Sequence, residues 1–213
     1  MDHKRVGDGD VGLNTGGMGT IAPNPYYTAD VAKVCMETIF LPTINAMKAE
    51  GRPFKGCLYF GLMATPNGPK VIEYNCRFGD PETQVVLPLL KSDLLTVMQA
   101  TTNGTLAETP VEFSDGSACC VVLASNGYPS SYGKGYPITM SEKAAAQTYV
   151  AGAKLNEEGV LVTSGGRVLG VTATADTLPQ AVEEAYRLTE EIYFENAYCR
   201  RDIGKKALAA MEV

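Results

Sequence analysis

Apolar and polar positions along the chain fall into alternating helical and strand-like stretches. Between Thr28 and Glu50 the apolar residues Val31, Val34, Cys35 and Ile39 recur at helical spacing. Thr28 stands where an N-cap is expected, Gly51 supplies the stop, and Pro42 ends or kinks this helix. Two apolar runs, about Lys55 to Ala64 and Lys70 to Asn75, flank Thr65-Pro66-Asn67-Gly68, and an Asn-Gly pair between such runs signals a β-hairpin. Helices follow near Pro81 to Leu90 and Asp93 to Thr102, the second stopped by Asn103-Gly104. The polar stretch Thr105 to Gly116 reads as a domain junction. Beyond it Ser117 to Ala124 is an apolar strand, Gly127 to Gly135 a turn-rich loop, and Thr148 to Ala153 a short strand. Gly159 to Thr163 and Arg167 to Ala173 look like a strand pair around Ser164-Gly165-Gly166. Thr177 then caps a helix from Leu178 to about Ile192, with Val182, Ala185 and Ile192 on its inner stripe.

Chemistry enters on the second hairpin strand. Strand side chains alternate between faces, so Glu73 and Asn75 point the same way while Ile72 and Tyr74 face the opposite layer. Two hard oxygen donors ~7 Å apart can both touch a divalent cation that bridges phosphates. A Glu and an Asn two apart on a solvated hairpin face have the same spacing. Arg77 follows, and the turn Gly79-Asp80-Pro81-Glu82 places Asp80 as a helix N-cap with Pro81 at the first helical position, so a helix start is expected beside the metal candidates. The segment Gly12 to Gly19 is glycine-rich, and its small residues would let backbone N–H groups approach an anion, although a solvated turn looks similar.

The run Glu73-Tyr74-Asn75-Cys76-Arg77-Phe78-Gly79-Asp80-Pro81-Glu82-Thr83-Gln84 carries a resemblance, together with Asp2-His3-Lys4-Arg5-Val6-Gly7-Asp8 and Asn14-Thr15-Gly16-Gly17-Met18-Gly19. These motifs, with Gly165-Gly166-Arg167-Val168-Leu169-Gly170-Val171 and Arg200-Arg201-Asp202-Ile203-Gly204, resemble the phosphoribosylamine–glycine ligase (glycinamide ribonucleotide synthetase) family. The resemblance implies an α+β fold: the carboxyl-terminal lobe of an ATP-grasp domain, an antiparallel sheet with helices, over residues 1–108, then a small α+β carboxyl-terminal domain over 109–213. It also implies the ATP-dependent joining of glycine to 5-phosphoribosylamine through a glycyl phosphate, a step of purine synthesis. Glu73 and Asn75 would then be the metal ligands for ATP with Mg²⁺ or Mn²⁺. The preceding strand, Leu58 to Met63, offers no further acidic ligand, so the metal would lean on phosphate and water.

Further roles follow from the same resemblance. Arg77 would stabilise charge on the transferred phosphoryl group or the acyl phosphate, with a structural ion pair to Asp80 or Glu82 as its other account, and Lys4 and Asp2 would contact phosphate or glycine. Asn14, Gly16, Gly17 and Gly19 would form a backbone anion loop near the acyl phosphate. The turn holding Asp80 and Glu82 would orient glycine, with plain capping as the other account of Asp80. Arg167, Arg200 and Arg201 would hold the ribose phosphate, because guanidinium forks match phosphate oxygens, or else pair with the acidic helix. Another ATP-grasp ligase of the purine pathway is the near alternative.

Family members are about twice this long, and the first two domains of the family are not visible here. The chain is therefore expected to be a fragment, dependent on a missing amino-terminal half for activity and with the Asp2 segment frayed. A non-catalytic assembly or ribose-phosphate-binding module is the reading of a different class. Composition narrows the partners. A formal charge of −6 argues against nucleic acid, and no apolar run of the 213 residues is long enough to span a bilayer. There is one histidine, His3, and neither a second histidine nor Cys-x-x-Cys spacing supports a zinc or histidine-based mechanism. The six cysteines lack disulfide or zinc spacing and read as mostly buried free thiols in a reducing, cytoplasmic compartment. Small molecules (glycine, 5-phosphoribosylamine, ATP) are left as the expected ligands, with no membrane partner.

Overall fold

The computed structural model describes residues 1–211. The chain divides into two compact units that are discontinuous in sequence. The first comprises Met1–Pro23, Asp80–Leu89 and the chain from Asp115 onward, and the second comprises Asn24–Gly79 and Leu90–Ser114.

In the first unit a five-stranded antiparallel sheet is built around one central strand. That strand, β6 (Ser117–Ser125), pairs along one edge with β11 (Arg167–Ala175). Its other edge pairs with β3 (Gly19–Ala22) and β13 (Ala197–Tyr198), and β8 (Thr148–Val150) adds to the far side of β11. Every residue of β6 is buried. The reason lies in alternation: Cys119, Val121 and Leu123 join one apolar cluster, while Ala118 and Cys120 join another on the opposite face. A strand covered on both faces reads as an unbroken apolar run, as this one does.

The first face is covered by α6 (Leu178–Thr189), whose Leu178, Ala181, Ala185 and Leu188 are buried at helical spacing. Leu178 and Leu188, fully buried there, contribute about 1.5–3 kcal/mol each. The opposite face receives Val85 and Leu89 from α3 (Thr83–Val86) and the 3₁₀ turn Leu87–Leu89. Two short pairs complete the sheet elements, β9 (Ala153–Leu155) with β10 (Leu161–Thr163) and β7 (Thr139–Met140) with β12 (Ile192–Tyr193). A further hairpin, β1 (Arg5–Gly7) with β2 (Val11–Asn14), spans a 3₁₀ turn at Asp8–Asp10. The helices α5 (Glu142–Ala146) and α7 (Lys205–Met211) also belong to this unit.

In the second unit Thr28 caps α1 (Ala29–Cys35), accepting from the Val31 N–H. A π-helical turn at Met36–Phe40 leads into α2 (Leu41–Ala49), with Pro42 in its first turn. Pro42 has no N–H for the carbonyl four residues earlier, and the wider turn absorbs that mismatch, so the helix is deformed without being ended. The hairpin is β4 (Tyr59–Thr65) with β5 (Gly68–Asn75). Asp93 caps α4 (Leu94–Asn103), which stops at Gly104 in the left-handed region at φ +80°.

Several expectations need correction. The helix near Pro81 to Leu90 shrinks to Thr83–Val86 plus a 3₁₀ turn, and Glu82, not Asp80, precedes it. Asp80 is not a cap because Arg167 and Gln84 engage its carboxylate. Gly159 to Thr163 does not pair with the strand that follows it. β10 pairs with β9, and the place beside β11 is taken by β8. Thr148 to Ala153 falls into two separate strands, and Ile192 sits in β12 rather than in the helix. The Thr177 hydroxyl bonds to Gln180 rather than to a helix N–H. Nor is the Asp2 segment frayed, since Met1 bonds to the Ile21 carbonyl and Asp2 bridges to Thr20. Among the cysteines, Cys35, Cys119, Cys120 and Cys199 are buried, but Cys76 is exposed. No helix among the described residues is long and apolar enough to cross a membrane.

Candidate functional site

On the hairpin of the second unit, Glu73 lies opposite Gly61 and Asn75 opposite Tyr59. A bulge between Gly61 and Leu62 leaves Ile72 without a partner and 61% exposed, and it lies before Glu73, so the alternation of Glu73 and Asn75 is undisturbed. Their strand neighbour Tyr74 packs edge-on against Phe60, which meets Phe40, so that face is the one turned to the helix. Glu73 and Asn75 occupy the other. Gly61 is required by close approach: a Cβ there would stand 2.7 Å from Glu73 Cγ. Arg77 is exposed and donates from Nη1 to the Phe78 carbonyl at 2.9 Å.

The donor set suits a hard cation. A carboxylate and an amide oxygen on one strand face are hard oxygen ligands. Among the described residues no group of three or more His, Cys, Asp or Glu side chains is placed to hold a metal. Glu73 and Asn75 therefore fit an ion completed by ligand oxygens and water.

In the first unit the remaining expected residues separate into two clusters. Arg167, at the start of β11, donates from Nη1 to the Gly16 carbonyl at 3.0 Å and the Asp80 carbonyl at 2.8 Å, and from Nη2 to Asp80 Oδ2 at 3.0 Å. The opposite oxygen of Asp80 accepts from Gln84 at 2.9 Å. Arg167 thus ties the glycine-rich loop to the Asp80–Pro81 turn.

The loop itself is not an anion cradle. Thr15 N–H donates to the Lys4 carbonyl, Gly16 N–H to the Tyr128 hydroxyl, Gly17 N–H to Thr15 Oγ1, and Met18 N–H to the His3 carbonyl. With these four donors engaged inside the protein, the expected backbone anion site is corrected. Asn14 is paired opposite Arg5, and Gly19 takes φ +154° so that its backbone can pass the Cys120 carbonyl. The His3 ring binds the Gly19 carbonyl through Nδ1 and accepts from the Gly204 N–H through Nε2. Burial holds its pKa down to about 4, so it stays neutral and acts as an interior strut.

Asp2 is the most unusual group in this cluster. Its side chain is 9% exposed and lies 2.7 Å from Lys4 Nζ as an ion pair. Neither oxygen receives a well-directed hydrogen bond. At Gly17, with φ +120°, a Cβ would meet Asp2 Oδ1 and Pro81 Cδ at 2.6 Å, so only glycine lets the carboxylate sit there. Burial pushes the Asp2 pKa up to about 6. The folded value lies above the unfolded value of about 4, so the charged form carries a penalty above pH 6 that is relieved as pH falls toward 4. Asp2→Asn is accordingly expected to stabilise the chain by about 1–2 kcal/mol at pH 7.5, after loss of the Lys4 pair, with the gain gone near pH 4. Urea unfolding at the two pH values tests this, and destabilisation at pH 7.5 would count against it.

The second cluster removes Arg200 from the expected phosphate ligands. Arg200 is 1% exposed, with Nε and Nη2 both on Asp202 at 2.7 and 2.8 Å and Nη1 on Asp10 at 2.8 Å. Four hydrogen bonds to internal partners hold its guanidinium. Arg201 is exposed, and its backbone N–H donates to Asp8. Glu82 sits at the mouth of α3, its carbonyl accepting from Val85 and Val86. Tyr128 and Thr15 were not marked as site residues by their local sequence. The signal available for Tyr128 was an aromatic with a polar tip inside a Gly/Pro/Ser loop.

Residues 1–83 match the phosphoribosylglycinamide synthetase ATP-grasp (A) domain, and residues 118–206 match the phosphoribosylglycinamide synthetase C domain. The chain is 49% identical over 211 residues to the phosphoribosylamine–glycine ligase of Agrobacterium fabrum, covering 98% of this chain and 50% of that protein. The crystal structure of phosphoribosylamine–glycine ligase from Thermotoga maritima superposes with a TM-score of 0.83 at 40% identity, covering 95% of this chain and 50% of that one. A biotin carboxylase domain of a bacterial single-chain carboxylase shares the fold at TM-score 0.54 and 16% identity, over 85% of this chain and 42% of that one. The chain spans about half the length of the curated ligases it matches.

Proposed function

The chain belongs to the phosphoribosylglycinamide synthetase family, and from that premise we propose that it supplies half of an ATP-dependent carboxylate–amine ligase. The reaction joins glycine to 5-phosphoribosylamine, giving glycinamide ribonucleotide, ADP and phosphate by way of glycyl phosphate. The observation that carries this reading is the pair Glu73 and Asn75 on one face of β5, with Gly61 clearing room beneath the carboxylate.

Phosphoryl transfer to a carboxylate asks for positioning and charge neutralisation more than for a protein nucleophile. Glu73 and Asn75 would hold a Mg²⁺ or Mn²⁺ ion, which when bound neutralises nucleotide phosphate charge. Arg77 presents a fixed cation to the transferred group, its guanidinium oriented by the Phe78 carbonyl. Lys4, paired with the buried Asp2, supplies a second cation toward phosphate or the glycine carboxylate. Asp80 and Glu82 flank the turn that orients glycine. Arg167 and Arg201 stay with the ribose-phosphate reading, Arg167 through the part of its fork not engaged by the loop, and Arg200 leaves it. The division of roles follows an ATP-grasp part over 1–108 and a carboxyl-terminal domain over 109–213, and a cytoplasmic setting goes with the free thiols.

The test is glycine- and phosphoribosylamine-dependent ADP release, measured with this chain alone and after mixing with the amino-terminal half of a matching ligase. Activity in the mixture alone is expected. Activity of the unaccompanied chain would show that the site needs nothing from the other half. A folded but inactive mixture would favour a non-catalytic binding or assembly module.

A further inference from the structure

Tyr128 and Arg167 reach the glycine-rich loop from two places in the first unit, the connection after β6 and the start of β11. They hold Gly16 at both of its backbone groups: its N–H donates to Tyr128 Oη at 3.0 Å, and its carbonyl accepts from Arg167 Nη1 at 3.0 Å. The fit leaves no room for a side chain. A Cβ on Gly16 would stand 2.8 Å from Arg167 Cζ, and one on Gly166 would stand 2.1 Å from Tyr128 Cδ2, so Gly166 is what admits the ring. The grip passes to the next residue. Thr15 donates to the Lys4 carbonyl from its N–H at 2.7 Å and from its hydroxyl at 2.8 Å, and the same hydroxyl accepts from Gly17 N–H at 2.9 Å. A path therefore runs by hydrogen bonds from Tyr128 and Arg167 to Gly16, across the peptide bond to Thr15, and by hydrogen bonds again to the Lys4 carbonyl.

We infer that Tyr128 and Arg167 are positioning residues of the ligase site, fixing the glycine-rich loop and, through Thr15, the placement of the Lys4 ammonium. The inference rests on the reading of Lys4 as a cation of that site. A loop whose Thr15, Gly16, Gly17 and Met18 N–H groups serve internal acceptors acts as a brace for the charged segment beside it. Small displacements of a charge-stabilising group lower turnover with little effect on binding of the remote parts of a substrate.

The experiment has two arms. In the chain alone, Tyr128→Phe deletes one hydroxyl and keeps the ring against Gly166, and amide exchange at Gly16 is expected to speed up about 10-fold, the equivalent of one lost hydrogen bond. In the chain mixed with the amino-terminal half, the same variant is expected to lower kcat about 10-fold with KM for ATP unchanged. Thr15→Val, which removes both hydroxyl bonds of that step and leaves only the backbone N–H on the Lys4 carbonyl, should lower kcat in the same direction, and the double variant should be no worse than the more damaging single one. Arg167→Lys, which keeps the charge and loses the fork, should fall in the same direction. Unchanged Gly16 exchange in Tyr128→Phe would overturn the clamp. Faster exchange with unchanged kcat, or additive losses in the double variant, would overturn the path to Lys4. An inactive parental mixture would strike the ligase reading, and the exchange arm would still decide the clamp.

Discussion

Glu73→Ala is expected to lower turnover of the reassembled enzyme by about 10³-fold, the equivalent of roughly 4 kcal/mol of transition-state stabilisation. The magnitude follows from the donor count. The proposed ion has two protein ligands, only one of them charged, so removing Glu73 takes away the sole carboxylate. Asn75→Ala removes a neutral donor that water can replace, and a loss of about 10-fold, partly recovered at higher metal concentration, is expected. Stability should not follow activity. Glu73 is on an exposed hairpin face, where substitutions usually change folding by less than about 0.5 kcal/mol. Steady-state kinetics beside denaturant unfolding separate the two. More than a tenth of parental turnover in Glu73→Ala would rule out the metal assignment. Gly61→Ala is a check that leaves every donor in place: its Cβ would push on Glu73 Cγ from 2.7 Å and displace the carboxylate, so turnover should fall although no ligand has been removed.

The shared strand face of Glu73 and Asn75 was legible in the sequence because it depends on local rules. Strand alternation and an Asn-Gly turn are written in adjacent residues, and Gly68 at φ +85° follows Asn67 in the hairpin turn as expected. β6 was legible for a similar reason, since a strand buried on both faces has nothing polar to hide. Asp80 shows where such reasoning stops. Asp before Pro is a good local helix start, yet its carboxylate bonds to Arg167, 87 residues away, and a charge-assisted pair outweighs a cap. The glycine-rich loop fails in the same way. Its composition permits an anion cradle, but whether its N–H groups are available depends on Tyr128, 112 residues along the chain. The mispaired strand after Gly159 is a third instance. The Ser164-Gly165-Gly166 turn suggests a hairpin, while the edge of β11 is claimed by β8 from earlier in the chain.

Arg200 is the most distant of these long-range cases, and Arg200→Ala is expected to destabilise the chain by about 3–5 kcal/mol at pH 7. Its guanidinium joins Asp202, two residues on, to Asp10 and the Arg5 carbonyl, about 190 residues back. Lys206 also contacts Asp10. Removing the guanidinium leaves two carboxylates facing a vacated interior position, which costs more than the attraction itself. Arg200→Lys should recover only part, because one ammonium cannot reproduce the two parallel bonds to Asp202. Burial raises the Asp202 pKa, but the Arg200 side chain and the Gly9 N–H outweigh it and hold the carboxyl well below its usual range. Lys206, and then Arg200, hold Asp10 low as well. With folded values depressed, this stabilisation is fully present above the unfolded carboxylate pKa of about 4 and is lost as pH falls through the folded values. The parent should therefore lose stability steeply below pH 4, whereas Arg200→Ala, already without the network, should lose much less over the same range. Guanidinium unfolding at pH 7 and pH 3 tests both statements. An Arg200→Ala chain within 1 kcal/mol of the parent at pH 7 would show that the network contributes little and would reopen Arg200 as a ligand. Arg201→Ala is the control: that side chain is exposed and only its backbone N–H is engaged, so stability should be unchanged while any ribose-phosphate role would appear as a raised KM for phosphoribosylamine in the reassembled enzyme.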